Sequence, residues 1–407
     1  MTRPFLALLR PVLLLAGLVP AIAAPVRAAS DLPRTADVIA NCLSNPSRDC
    51  ALAAALMVTA DEELAITQVD DLIAVAETFA RLGDPDRARA TIDLAVEAAH
   101  NIGLTIATEQ KLSEIVGTMA EIGETARAIA IAEGLGDRFR RANALGAIAL
   151  ARARTGDVAG AQETLGRIKV PLLALKYAVE MTEEIAEKGQ VDDAAAAALE
   201  ARLAQVDHRL LRALGYTRLA VLKARQGDID AARRLRDTAA AERDYILDTA
   251  DRARLFAGLA RAALALGEAD AYADAVSHAR GLAMRVNADY DQTVAIADVV
   301  AALAAGGRVE EAVDLAERIT DLRARTRLIS DLSRRRDAAQ AVVPLAQQVL
   351  AAAAAAESRF ERDRARLAVA KALAAVGAVP RAVEVIAGIE NDDAQAQALA
   401  ALAQELD

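Results

Sequence analysis

Apolar residues along the chain fall at helical spacing, and the points where that spacing stops are what repeats. Counting back from a recurring Gly, an apolar residue stands eight positions earlier, as Val75, Ile115, Ile148, Met181, Leu219, Leu259, Val299 and Val369. A small residue stands three positions before the same Gly, as Ala80, Ala120, Ala153, Ala186, Ala224, Ala304 and Ala374, with Leu264 the departure. Five residues turn a helix through about 140°, so these two positions mark two packing surfaces. A helix buried between its own partner and a neighbouring repeat carries that signature. The chain reads as a run of helices, each ended at a Gly and followed at once by another.

The stretch QGDIDAARRL shows why the ending is sharp. Gly227 reaches the left-handed conformation that closes a helix without a Cβ clash. The Asp228 side chain accepts from the free N–H groups of the next helix. Ala232, small, lets the two helices approach. The same joint recurs as Gly83 with Ala88, Gly123 with Ala128, Gly156 with Ala161, Gly189 with Ala194, Gly307 with Ala312 and Gly377 with Ala382. Tyr272 takes the Ala place after Gly267, and Arg336 with Ala341 keeps the pattern without its Gly. In the first copy Pro85 follows Asp84 at the first helical position, where its missing N–H costs nothing. Successive joints lie 29 to 41 residues apart, a period that points to helical hairpins stacked as a solenoid. The residue after the Gly varies among Asp, Glu, Gln, Arg and Ala, so the joint sets shape and carries no chemistry of its own.

These joints, with small residues at the crossing points, resemble the tetratricopeptide repeat over residues 69–392. The large aromatic near the start of the first helix and the Pro that closes the second are absent here. The resemblance implies an all-α, right-handed solenoid of about nine helix-turn-helix repeats that holds a protein partner in its groove. In that family a Lys/Asn/Arg clamp can take a peptide's terminal carboxylate. At the corresponding groove positions, ten and six before the Gly, this chain has pairs such as Ile73 and Glu77, Ser113 and Gly117, and Ala257 and Arg261, which do not form the clamp. Arg261 and Lys371 are the basic groove candidates.

Composition agrees with a thin stack: the 407 residues are 54% hydrophobic but only 2% aromatic, with no Trp to fill a wide core. Residues 1–28 read as a signal peptide. Arg3 precedes a short apolar run at 12–18, Pro20 breaks it, and cleavage is expected after Ala23 or Ala28. The run is too short for a membrane anchor. The expected location is periplasmic or secreted, with no integral membrane segment after cleavage. In such a compartment Cys42 and Cys50 are expected to pair and staple an N-terminal helical cap at 29–68. A redox or zinc role would need Cys-x-x-Cys spacing or two further ligands. Residues 393–407 read as a capping helix, with Gln395, Gln397 and Gln404 giving it a wet face. Net charge falls from −10 to −12 as Arg3 and Arg10 leave with the leader, which argues against a nucleic-acid partner.

Candidate chemistry is sparse. Asp-Arg-x-Arg opens several first helices, at Asp137, Asp251 and Asp363, with a variant at Asp321. One reading is an Asp N-cap with Arg stems lying along the previous repeat. The other is an arginine ladder for an anionic ligand, carried by Arg252, Arg254, Arg364 and Arg366. Tyr216, Tyr245 and Tyr290 are contact candidates because aromatics concentrate at binding hot spots, whereas Tyr272 reads as core filler. His100, His208 and His278 lie in different repeats, and the acidic run Glu180, Glu183, Glu184 and Glu187 reads as a solvated face. No metalloprotease, nucleophile-elbow, phosphate-loop or calcium-loop motif occurs. The expected function is an exported, non-catalytic scaffold for protein partners, with no cofactor or metal. An alternative is a module binding anionic polymer or ligand in envelope polysaccharide export, and a third is an enzyme on a helical toroid.

Overall fold

The computed structural model describes residues 35–406 except 63, 189–192, 288 and 336, so the expected leader, Gly189 and Arg336 lie outside the described residues. Regular structure among the described residues is helical throughout, with no strand. An N-terminal pair, α1 (Thr35–Ser44) and α2 (Arg48–Asp61), is joined by the Cys42–Cys50 disulfide, with a Cα–Cα distance of 5.5 Å. Next come α3 (Ala65–Arg81), α4 (Pro85–Asn101), α5 (Thr105–Glu121), α6 (Thr125–Gly134), α7 (Arg138–Arg154) and α8 (Val158–Gly166). They are followed by α9 (Pro171–Lys188), α10 (Asp193–Ala204), α11 (Arg209–Arg225), α12 (Ile229–Ala241), α13 (Thr249–Ala265) and α14 (Ala269–Ala283). Then come α15 (Asp289–Ala305), α16 (Val309–Ala316), α17 (Leu322–Ser333), α18 (Val342–Ala354), α19 (Arg359–Ala375), α20 (Val379–Ala387) and α21 (Asp392–Leu402). From α3 to α20 the helices alternate as first and second members of consecutive hairpins.

The turns follow from the joint residues. Gly83, Gly123, Gly156, Gly227, Gly267, Gly307 and Gly377 all have φ between 72° and 91°. At Gly227 the Asp228 N–H donates back to the Lys223 carbonyl at 2.9 Å, and the Asp228 carboxylate then accepts from Ala231 N at 3.2 Å. One helix is closed and the next opened within two residues. Asp84 and Asp157 cap in the same way, whereas Glu124, Glu268, Arg308 and Ala378 make no side-chain cap.

The chain divides into two compact units, residues 124–352 and residues 1–123 with 353–407. In the first, α7, α9, α11, α13 and α15 pack in sequence against one another, and α8, α12, α14 and α16 lie on α7, α11, α13 and α15 respectively. Ile148, Met181, Leu219 and Val299, eight before the joint, are buried in this layer, and Ala161, Ala232 and Ala312 are buried beneath the joints.

In the other unit the two chain ends build one composite hairpin. C-terminal α21 packs on N-terminal α2 and α3, taking the first-helix place beside α2. Gln397 and Gln404, expected to give the final helix a wet face, are therefore half-buried instead. Gln397 Nε2 donates to Asp71 Oδ1 at 2.9 Å, Gln404 Nε2 to Thr78 Oγ1 at 3.0 Å, and Thr78 Oγ1 to the Ala400 carbonyl at 2.8 Å. Arg81 also bonds Gln404, and Arg48 donates to the Leu406 carbonyl at 2.5 Å. Those glutamines answer polar groups on α3 rather than solvent, because an amide beside a buried carboxylate and hydroxyl satisfies what Leu or Ala would leave unpaired.

Candidate functional site

In the 124–352 unit a cavity of about 40 Å³ opens on α11, α13 and α15, lined by Leu214, Thr217, Arg218, Val221, Arg254, Ala257, Gly258, Arg261, Asp298 and Arg335. Thr217 and Val221 on α11, and Ala257 and Arg261 on α13, are the groove positions ten and six before the joint. Nine before it stand Arg218, Gly258 and Asp298 in three successive repeats, so the middle repeat has no side chain between its charged neighbours. Gly258 is also required by packing, because a Cβ there would come within 2.7 Å of Thr217 Oγ1.

Four guanidiniums and the Asp298 carboxylate line the cavity. Arg254 Nε donates to Asp298 Oδ2 at 2.9 Å and lies 3.9 Å from Asp251. Burial penalises the Arg254 charge, but Asp298 and Asp251 more than offset this and hold its pKa above the ordinary value. Asp337 sits behind, 3.7 Å from Arg261 and 3.4 Å from Arg225.

Of the arginines that one reading of Asp-Arg-x-Arg sets in a ladder, Arg252 and Arg254 belong to one compact unit and Arg364 and Arg366 to the other. Arg364 is exposed, while Arg366 is tied to Asp363 at 3.3 Å and faces Glu390 at 3.9 Å. The expected caps hold at Asp137 and Asp321, but α13 is capped by Asp248 and α19 by Ser358. Those helices start earlier because the Asp248 and Ser358 side chains already accept the first-turn N–H groups of Asp251 and Glu361. Asp363 is instead buried inside α19 and accepts from Glu390 N at 3.2 Å.

A different arginine pattern is the recurring one. Arg141, Arg212, Arg325 and Arg362 each lie four residues after a cap (Asp137, His208, Asp321, Ser358). Each folds back onto the carbonyl six residues earlier, of Leu135, Val206, Ile319 and Ala356. These arginines satisfy backbone at the end of the preceding hairpin, where carbonyls lack helical partners. Arg252 occupies the same place after Asp248, but its buried Nε makes no hydrogen bond. The signal in the sequence was cap-x-x-x-Arg, one register away from the motif that stands out by eye.

The remaining candidates separate by exposure. Tyr216 is buried at 7% exposed, which makes it core and not a contact; Tyr272 is likewise buried, its hydroxyl donating to the Ala302 carbonyl at 3.2 Å. Tyr245 is 64% exposed under the Arg209 guanidinium, and Tyr290 is 72% exposed. Tyr290 is the second residue of its first helix, as are the exposed Phe139 and Leu172 in the same unit. Lys371, in the other unit, has its ammonium pushed below the ordinary lysine value by burial, against the attraction of Glu77, Asp71 and Asp70. His208 caps α11, and His278 stacks on Phe256 with ring centroids 5.2 Å apart. Glu180 and Glu184 face Lys176 and Arg154. Among the described residues no group of three His, Cys, Asp or Glu side chains is placed to hold a metal ion, and no helix is long and apolar enough to cross a membrane.

The chain is an all-α helical-repeat protein. No protein-family model matches it, and no curated protein matches it in sequence. Among solved structures it is similar to Ton1535 from Thermococcus onnurineus NA1, at 16% identity over 79% of this chain and 98% of that one, with a TM-score of 0.25. It is also similar to a circular tandem repeat protein with novel repeat topology and enhanced subunit contact surfaces, at 14% identity over 94% of this chain and 84% of that one, with a TM-score of 0.19.

Proposed function

We propose that the chain is an exported, non-catalytic scaffold that holds a protein partner on its first-helix face, in the manner of a tetratricopeptide-like repeat. The observation that carries this reading is the cavity on α11, α13 and α15, where groove positions of neighbouring repeats converge on one place. The Cys42–Cys50 disulfide supports export, because such bonds persist in oxidising compartments.

Photo-crosslinking by face tests the reading. A photoreactive residue at Arg218, half-buried on the first helix α11 at the cavity wall, is expected to give a discrete protein adduct in the native compartment. One at Asp237, exposed on the second helix α12, is expected to give none. Adducts confined to Asp237, or absent from Arg218, contradict it.

A further inference from the structure

We propose that the edge where α3 and α5 begin is a docking surface for a basic amphipathic helix of a partner protein, distinct from the cavity described above. Four large aliphatic side chains meet there. Leu64 and Ile66 open α3, Leu104 and Ile106 open α5, and each is between 43% and 68% exposed. The two helices pack directly on each other. Lys111 Nζ donates to Asp70 Oδ1 at 2.5 Å and Thr118 Oγ1 to Glu77 at 3.4 Å, both between residues 41 positions apart. That register sets 64 beside 104 and 66 beside 106, so the four form one patch. Single exposed apolar residues need no explanation, but a contiguous group marks an interaction surface.

Local helix chemistry is given up to place them. Other first helices open on Asp137, His208, Asp248, Asp321, Ser358 or Asn391, whose side chains accept a first-turn N–H. Leu64 and Leu104 hold the same cap position and accept nothing. A Leu there forgoes the cap and puts an apolar side chain in water, two costs at each helix that folding alone does not require. The same local rule broken at the same place in adjacent repeats points to a use outside the fold.

Charge selects the occupant. Glu62 precedes α3, and Asp392 and Asp393 open α21, which packs on α3. The Glu62 and Asp393 carboxyls share a hydrogen bond. Residues 61–66, 101–106 and 391–393 include no Lys or Arg. Lys111, further along α5, is already held by Asp70 and Glu114, and Arg359, which opens α19, lies against Glu390 and Asp363. The patch is therefore apolar with a carboxylate border, the complement of a helix with Leu on one face and Lys or Arg along its flanks. That border argues against two other occupants. Anionic lipid headgroups would be repelled, since surfaces that bind them carry Lys and Arg. A second copy in a two-fold contact would pair the patch with itself and set carboxylates against carboxylates.

The test is fluorescence anisotropy on the full chain with a labelled helical peptide of Leu and Lys about five turns long, and with its Leu and Glu counterpart. The wild type is expected to bind the Lys peptide at least tenfold more tightly than the Glu peptide. Leu64→Ser/Leu104→Ser is expected to lose at least tenfold in affinity for it while its melting temperature rises, because Ser restores both caps. If that pair melts below the wild type, Ile106→Gln replaces it. Glu62→Gln/Asp393→Asn is expected to lose about threefold, with the difference shrinking at high salt. Arg254→Gln/Arg261→Gln is expected to leave peptide affinity unchanged, so the surface stands or falls separately from the cavity. Equal affinity for the two peptides, or full affinity in a folded Leu64→Ser/Leu104→Ser, overturns the proposal. Binding to phosphatidylglycerol vesicles that the Ser pair abolishes would overturn it in favour of a lipid surface. Sedimentation as a dimer that the Ser pair dissociates would overturn it in favour of a second copy.

Discussion

Asp71 gives the composite hairpin a predictable dependence on pH. The side chain is 1% exposed on α3; Gln397 of α21 donates to Oδ1, and Oδ2 has no hydrogen-bond partner. Burial first, then the proximity of Asp393, Asp70 and Glu62, raises its pKa from 3.8 to about 8, against the Gln397 hydrogen bond. Lys371 of α19 is close enough to feel the same charge but forms no contact pair with it. The folded state thus holds a proton that the unfolded chain has already released above pH 3.8. Stability from this group is complete below that value, falls by about 1.4 kcal/mol per pH unit, and is exhausted near pH 8, a total of roughly 6 kcal/mol. Asp71→Asn keeps the acceptor for Gln397 and cannot ionise. Its second amide hydrogen has no evident acceptor, a cost of about 1–3 kcal/mol that does not vary with pH. Urea unfolding at pH 5, 6.5 and 8 should therefore show the variant gaining on the wild type with a slope of about 1.4 kcal/mol per unit. Parallel stability profiles for the two proteins would refute the argument. Asp393, whose pKa burial and its contact with Glu62 raise to about 6, leaves a smaller slope of the same sign in both.

Three further outcomes follow from named contacts. Cys42→Ser/Cys50→Ser should lower stability by about 2–3 kcal/mol, seen as a reduced melting temperature that reductant no longer affects. Gly227→Ala places a Cβ at φ 84° and should cost about 1–2 kcal/mol by denaturant midpoint, with helix content retained. Arg141→Ala, which removes the two bonds to the Leu135 carbonyl at 2.7 and 3.1 Å, should cost about 1–3 kcal/mol and speed amide exchange at the start of α7.

What was legible in the sequence was what is local. A Gly in the left-handed region, a cap one residue later and an Ala at the crossing depend on a few neighbouring residues, so Gly227, Asp228 and Ala232 announce their turn wherever they occur. The pairing of α21 with α2 joins residues more than 300 positions apart, and Gln397 read as solvent-facing because its acceptor, Asp71, belongs to the other end of the chain. Tyr216 and Tyr245 look alike in sequence, but one falls on the buried side of α11 and the other follows α12 on the surface. The cavity was half visible. Arg254 and Arg261 stood out, whereas Arg218 and Arg335 come from other repeats, and the gap at Gly258 appears only when three repeats are set in one frame.

Whether binding belongs to the first-helix face is read from the affinity of the protein captured through Arg218, measured against two charge-matched double variants. Arg254→Gln/Arg261→Gln alters the first-helix cavity, and Arg233→Gln/Arg234→Gln alters the second helix α12, where both side chains are exposed. The account predicts at least a tenfold loss for the first pair and less than about a twofold change for the second. Equal losses, or a loss confined to Arg233 and Arg234, would contradict it.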